Sequence, residues 1–456
     1  MQISPLKTLT PIIMDRRLFL RSSGVSIGTA LTLPAALTGC GSENTQAAAA
    51  AVTSDLSTWE GVRAQFPLDH SMIQMAQMLL ASHPKPVADA IARQRQAFDA
   101  SPATYWEEHF QTAEGIVAQA AAKYMGVDPG EIALTDSTTM GTSLLFNGMK
   151  LKPGDEILST THDHYVTDKS IDFVCEKTEA TNRRIDEYAD PRTVTVEEVT
   201  ANIAKAISDK TRVVAVTWVQ SCTGVKLPIR AISEVIREAN ADRPKEKRIY
   251  FAVDGVHGFG NQDEDISQLG CDYFSAGTHK WIFGPRGTGV LYARKDAWDF
   301  IRPTIPQFSD YPYLDWMGMA PDREPTFHEL MSPGGFHAFD HRWSLDSAFE
   351  FHMTMGRDRV HQRTTEFNTR LKQGIRDIKG VDLLTPIDPE LSAGINCFIV
   401  GNLDATETVK RFHDAGVIAS SSPYRISYAR LTPCVINTEA EVDTSLEILE
   451  RMAKTT

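Results

Sequence analysis

The sequence has little cysteine, no basic runs in its body and no long apolar stretches there, and each shortage removes a class of function. Six cysteines among 456 residues are too few and too scattered for a disulfide scaffold. None of them falls in a zinc-type pair, so no metal centre is expected. Forty-six Lys and Arg face 59 Asp and Glu, a net charge of −13. With no basic run outside the extreme N-terminus, that balance argues against nucleic acid as a partner. No apolar stretch beyond residue 45 is long enough to span a bilayer, and no internal repeat is visible. The remaining composition, 42% hydrophobic and 23% charged, is that of a globular enzyme long enough for a large core and a second lobe.

The N-terminus reads as an address. Arg16 and Arg17 are followed by Phe19 and Leu20 and by a mildly apolar stretch from Val25 to Leu37. Paired arginines before a short apolar region resemble a bacterial twin-arginine export signal. "LTGC" ending at Cys40 resembles a lipoprotein cleavage box, with Cys40 lipidated; the alanine run Ala47–Ala51 is the competing cleavage site. The expectation is a signal over residues 1–40, a linker over 41–57, export by the twin-arginine machinery and a periplasmic location. The other cysteines, Cys175, Cys222, Cys271, Cys397 and Cys434, are odd in number and several lie in apolar runs. They are expected to be buried thiols.

In the body, short apolar runs recur at "EIALT" (from Glu131), "DEILST" (Asp155), "RVVAVTWV" (Arg212), "RIYFAVDG" (Arg248), "CDYFSAG" (Cys271) and "GVLYAR" (Gly289). Helical patterns separate several of them. Strands apolar along their whole length and alternating with helices predict an α/β fold with a mostly parallel sheet covered on both faces. Past residue 330 the pattern turns to long helices with a few strands, a second and smaller C-terminal α/β domain. The expected division is an N-terminal arm over 58–84, a large domain over 85–330 and the small domain over 331–456.

Ligands of open α/β sheets sit at the carboxyl ends of strands, and four polar clusters fall there. "TDSTTMG" opens a helix with Ser137, Thr138 and Thr139, whose hydroxyls and N–H groups suit a phosphate. "HDHY" offers His162 and His164, either of which suits stacking on an aromatic ring. "VDGVHG" ends a strand at Asp254, with His257 three residues on. "THKWIFGPRGTG" places His279 and Lys280 among apolar residues. An amine is costly to bury, and one that joins a carbonyl cofactor has a reason to be there.

Taken in order, these motifs and "INTEAEVD" (from Ile436) resemble the class-V aminotransferase family of fold-type-I pyridoxal-phosphate enzymes. That family includes cysteine desulfurases, kynureninases and isopenicillin N epimerase-like proteins. The resemblance runs from about Ser71 to Val442. It implies a pyridoxal 5'-phosphate cofactor joined to Lys280, with Asp254 at the pyridine nitrogen. His164, favoured over His162, would stack on the ring, and His279, Ser137, Thr138 and Thr139 would hold the phosphate. His257 stands where the family often has glutamine and would donate to the ring hydroxyl. Arg430 matches the arginine for the substrate carboxylate, with Arg425 as runner-up. In "SPGGFHAFDHRWSLDS" Arg342 replaces the family's Gly-Thr; it would reach a partner subunit's phosphate or form a local pair with Asp340 or Asp346. The resemblance also implies a homodimer.

Before the arginine, "GVIASSSPYR" holds serines and no cysteine, which argues against a desulfurase. Transamination or epimerisation of a small-molecule or peptide-like amine remains. Exported enzymes of this type that tailor a glutamyl residue of the siderophore pyoverdine share both features, fold and compartment.

Overall fold

The structure, a computed structural model, describes residues 55–456. The expected signal, Cys40 and most of the linker lie outside the described residues.

The large domain is built on a seven-stranded sheet. Its strands are β2 (Ile132–Thr135), β3 (Glu156–Thr160), β4 (Thr181–Ile185), β5 (Thr211–Thr217), β6 (Tyr250–Asp254), β7 (Tyr273–Gly277) and β8 (Gly289–Ala293); β1 (Ile73–Gln74) lies elsewhere. The spatial order is β2-β8-β7-β6-β5-β3-β4. All pairs are parallel except those of β8, which runs antiparallel to β2 and β7. β5, "TRVVAVT", is buried at every residue. That fits a central parallel strand covered on both faces, where β-branched side chains pack well.

The covering helices follow from apolar spacing and caps. Ile229, Ile232 and Ile236 bury one face of Ile229–Asn240. At about 2 kcal/mol for each such side chain removed from water, that face outweighs the weak helix preference of β-branched residues. Thr195 caps Val196–Ala206 by accepting from the Glu198 N–H at 3.1 Å.

β4 was not foreseen. Its sequence, "TNRRI", is polar and partly exposed because it is the sheet's edge. Arg183 and Arg184 there pair with Glu156 and with Asp168 and Asp172, so no apolar run marks it. Charges on an edge strand also discourage pairing with another sheet.

The smaller C-terminal domain carries an antiparallel sheet, β12-β13-β10-β9, from β9 (Val381–Leu383), β10 (Asn396–Val400), β12 (Ser420–Ser421) and β13 (Ala429–Leu431). Helices Arg357–Asp377 and Glu439–Ala453 contribute Phe367, Leu371, Val442 and Leu449 to its core. The latter begins with a capping box between Thr438 and Glu441, a reciprocal bond that stops the first turn fraying. Met75 belongs to this same core, because β1 pairs in parallel with β11 (Val417–Ile418). All five described cysteines are free and buried.

Candidate active site

Asp254 is the last residue of β6 and lies in register with Ser275 of the adjacent β7; Lys280 follows β7 by three residues. Lys280 sits on a tight turn. The Phe283 N–H donates to the Lys280 carbonyl at 3.1 Å, and the Gly284 N–H to that of Thr278 at 2.8 Å. Phe283 holds a left-handed φ of 58°, a conformation that costs a side-chain-bearing residue about 1 kcal/mol or more. Its ring is buried edge-on to Phe66 and stacked on His352, and that packing holds the turn in place.

A cavity of about 180 Å³ opens over this turn. Its wall includes Ser137, Thr138, Thr139, His164, Asp254, His257, His279, Lys280 and Arg430. The four polar clusters at strand ends, and the arginine from the small domain, do converge.

Burial lowers the Lys280 pKa to about 8, against the pull of Asp254, and Arg430 adds to the lowering. Burial pushes Asp254 up, opposed by the Val256 N–H at 3.2 Å, by the charge of Lys280 and by the Thr167 hydroxyl at 3.3 Å. Burial, together with Lys280 and Arg430, holds His164 near 4 and His257 well below the ordinary value. The site therefore presents neutral imidazoles, a carboxylate and an amine able to titrate near neutrality.

Arg430 is 1% exposed. Its guanidinium donates to the Ser221 carbonyl at 2.9 Å, the Ser421 carbonyl at 2.6 Å and the Ser420 hydroxyl at 3.2 Å. All these partners are neutral.

The residues present fit pyridoxal phosphate. Ser137 caps helix Thr138–Gly148 by accepting from the Met140 N–H at 3.1 Å. The N–H groups of Thr138 and Thr139, in the first turn, have no acceptor within the helix, which is how a helix start receives a phosphate. Thr138 also accepts from the Gly277 N–H at 2.7 Å. The Nδ1 of His279 is buried without a partner. A Cβ at Gly277 would lie 2.9 Å from the His279 ring and 3.0 Å from the Thr138 hydroxyl, so only glycine keeps this cradle open.

Three expected residues stand apart. Arg342 does not line the cavity. It is 2% exposed, with Nη2 2.5 Å from Asp136 and Nη1 3.4 Å from Glu114. Two carboxylates of its own chain hold it, and they are not the expected Asp340 or Asp346; Asp340 pairs with Arg95. Arg425 is exposed and off the cavity wall. His162 turns away to Glu187, 3.0 Å from it, and stacks on Tyr188, whereas His164 faces the cavity.

Other wall residues, Met78, Leu79, Thr217, Ser221 and Tyr424, were missed. The Tyr424 and Ser221 hydroxyls are 3.0 Å apart, and Tyr424 lies edge-on to His164. Tyr424 is only six residues before Arg430, and that nearness was the available signal. No described cysteine lines the cavity.

A doubly bounded α/β sheet with a lysine after one central strand and a carboxylate ending its neighbour is the fold-type-I architecture of pyridoxal-phosphate enzymes. Residues 81–423 match the class-V aminotransferase family, and the chain belongs to it. It is similar to isopenicillin N epimerase of Streptomyces clavuligerus, 24% identical over 410 residues, 87% of this chain and 99% of that one. It is also similar to a probable cysteine desulfurase of Halalkalibacterium halodurans, 26% identical over 337 residues, 70% and 77% of the two chains. Among solved structures, the cystine C–S lyase C-DES in complex with its product cysteine persulfide superposes with a TM-score of 0.76. That match has 23% identity and covers 85% of this chain and all of the other. The apo cysteine desulfurase of Thermococcus onnurineus gives 0.73, at 20% identity and 87% and 98% coverage. The likeness to epimerase and desulfurase alike is distant, and it establishes the fold and the family.

Proposed function

We propose that this enzyme acts at the amino group and α-carbon of an amino acid, or of a glutamyl residue in a peptide-like metabolite, as a transaminase. The observation that carries this reading is Arg430. A buried guanidinium whose partners are all neutral leaves several kcal/mol of desolvation uncompensated, and a substrate carboxylate supplies the missing charge in a two-pronged bond.

Lys280 would hold pyridoxal phosphate, with Asp254 at the ring nitrogen, His257 at the ring hydroxyl, His164 against the ring face, and Ser137, Thr138, Thr139 and His279 at the phosphate. Bound there, the cofactor supplies an electron sink for the α-carbon. Arg430 orients the substrate by its carboxylate. Lys280, as a neutral amine, takes the α-proton and can return it at another atom. Met78 and Val256, both buried on the cavity wall, limit water around that proton.

The same base serves an epimerisation, and the similarity to isopenicillin N epimerase over nearly all of that chain keeps it as the second reading. A scaffold that binds the cofactor without turnover is a reading of another class. The Arg16–Arg17 signal supports a periplasmic setting, reached through the twin-arginine machinery and anchored at Cys40. In that setting a siderophore side chain of the pyoverdine type is a candidate substrate. Exposed Trp316 and Phe336 support a homodimer.

Absorption spectra of the wild type and Lys280→Ala, with amino acids and glutamyl peptides added, test the proposal. A donor that converts the wild-type band to the amine form and yields a keto acid supports transamination. Inversion without a keto product would replace it by epimerisation. Loaded protein that no amine perturbs would leave the binding scaffold.

A further inference from the structure

Trp281, the residue after Lys280, reaches back to the lysine through a histidine. Its indole N–H donates to His257 Nδ1 at 3.3 Å, and His257 Nε2 lies 3.2 Å from Lys280 Nζ. An indole nitrogen donates only. A neutral imidazole has one proton, and with Nδ1 accepting from Trp281 that proton sits on Nε2. The Nε2–H then faces Lys280, and a bond forms only if Nζ offers a lone pair. The reverse arrangement, an ammonium donating to Nε2, would leave His257 with no proton at all. Protonating both nitrogens would break the indole bond, and burial beside Lys280 and Arg430 opposes it.

The indole is itself fixed. The His352 Nε2 is 3.1 Å from the Trp281 carbonyl, an acceptor, so Nε2 carries the His352 proton and Nδ1 accepts from the Tyr124 hydroxyl at 3.1 Å. A Cβ at Gly394 would lie 2.3 Å from the indole ring, so the ring fills a slot shaped to it.

We propose that Trp281 is a positioning residue: it keeps the His257 proton on Nε2 and so holds Lys280 as the neutral amine that condenses with an aldehyde. This rests on the reading of Lys280 as the lysine that joins the cofactor. In that condensation the Nζ lone pair attacks the aldehyde carbon, a C=N bond replaces C=O, and the oxygen departs as water with the two amine protons. An ammonium has no lone pair and cannot begin it. The titratable and charged groups around Lys280 are Asp254, which favours the ammonium, and Arg430, His164, His257, His279 and Tyr424. Trp281 acts through His257 against the pull of Asp254.

The test measures how fast apoprotein loads added pyridoxal 5'-phosphate across pH 6–9, with the lysine adduct trapped by borohydride and located by mass. Without the indole donor, the His257 proton is free to move to Nδ1 and Nε2 to accept from an ammonium. Trp281→Phe should therefore move the loading midpoint up by about one pH unit, roughly tenfold slower loading below it. In a His257→Leu background no polar side chain links the indole to Nζ, so adding Trp281→Phe should shift nothing further. An unmoved midpoint, or an equal shift in both backgrounds, would overturn the proposal. Should Trp281→Phe fail to fold, nitrogen-15 NMR of wild-type apoprotein decides. A His257 proton on Nε2 supports the lock, and one on Nδ1, or on both nitrogens, overturns it. Wild type that never loads would instead defeat the cofactor reading.

Discussion

Arg430 of the small domain donates to the carbonyl of Ser221, at 2.9 Å, on a loop of the large domain. The two residues are 209 apart in sequence, and their bond places a small-domain charge in a large-domain cavity. Arg430→Lys keeps the charge but loses the planar fork. It should lower kcat/KM for the amino-acid substrate by about 10- to 100-fold, the worth of a charged hydrogen bond, and Arg430→Ala by at least as much. Cofactor loading should be unchanged in Arg430→Lys; loss of loading as well would make the arginine structural.

Asp254 is the anionic neighbour that draws a proton toward Lys280. Asp254→Asn removes that attraction, so the lysine should titrate below the wild-type value of about 8, seen as loading that persists to lower pH. Turnover should fall by at least ~100-fold, as it does when a preorganised charge is removed from a reacting centre. A lysine midpoint that rises would contradict the geometry.

His164 and His162 separate by what they face. His164→Ala should move the absorption maximum of bound cofactor and weaken its retention, because a ring-stacking partner is lost. His162→Ala should leave the spectrum alone and lower stability, because the fully buried Glu187 carboxylate then keeps only the Gln220 amide as a side-chain partner. The two spectra, compared side by side, decide the assignment.

Glu114 gives a stability effect with a defined pH window. Burial pushes its carboxyl up, but the His337 hydrogen bond at 3.2 Å and the charges of Arg342, His328 and His337 outweigh it and hold the pKa at about 2, against an ordinary 4.5. A folded value below the unfolded one stabilises above pH 4.5 and is lost as pH falls toward 2. Glu114→Gln should cost about 3 kcal/mol at pH 6 by this effect. The gap from wild type, measured by urea unfolding, should shrink steadily below pH 4.

What the sequence shows is local. Asp254 and Lys280 were legible because each closes or follows an apolar strand, and a polar residue there has few structural uses. The direction of β8 follows from a physical limit. Only the turn from Thr278 to Thr288 joins it to β7, too short for the crossover that parallel strands need. The hidden parts depend on distant pairing. Arg342 meets Asp136 and Glu114 across 206 and 228 residues, and nothing near it in sequence marks those partners. Met78, Leu79 and Tyr424 reach the cavity only because the chain folds back to it.

The pairing of β1 with β11, Ile73 to Val417, also bears on the order of synthesis. Residues that leave the ribosome early wait for more than three hundred others before their strand partner exists. Met75 donates to the Ile418 carbonyl and accepts from the Thr432 N–H, and Met78 beside it lines the cavity. The pocket is thus closed by contacts between the first and last parts of the described chain. A nascent chain that stops short of Val417 lacks Arg430 and the partner strand together, so the site cannot be complete before residues 417–430 are made.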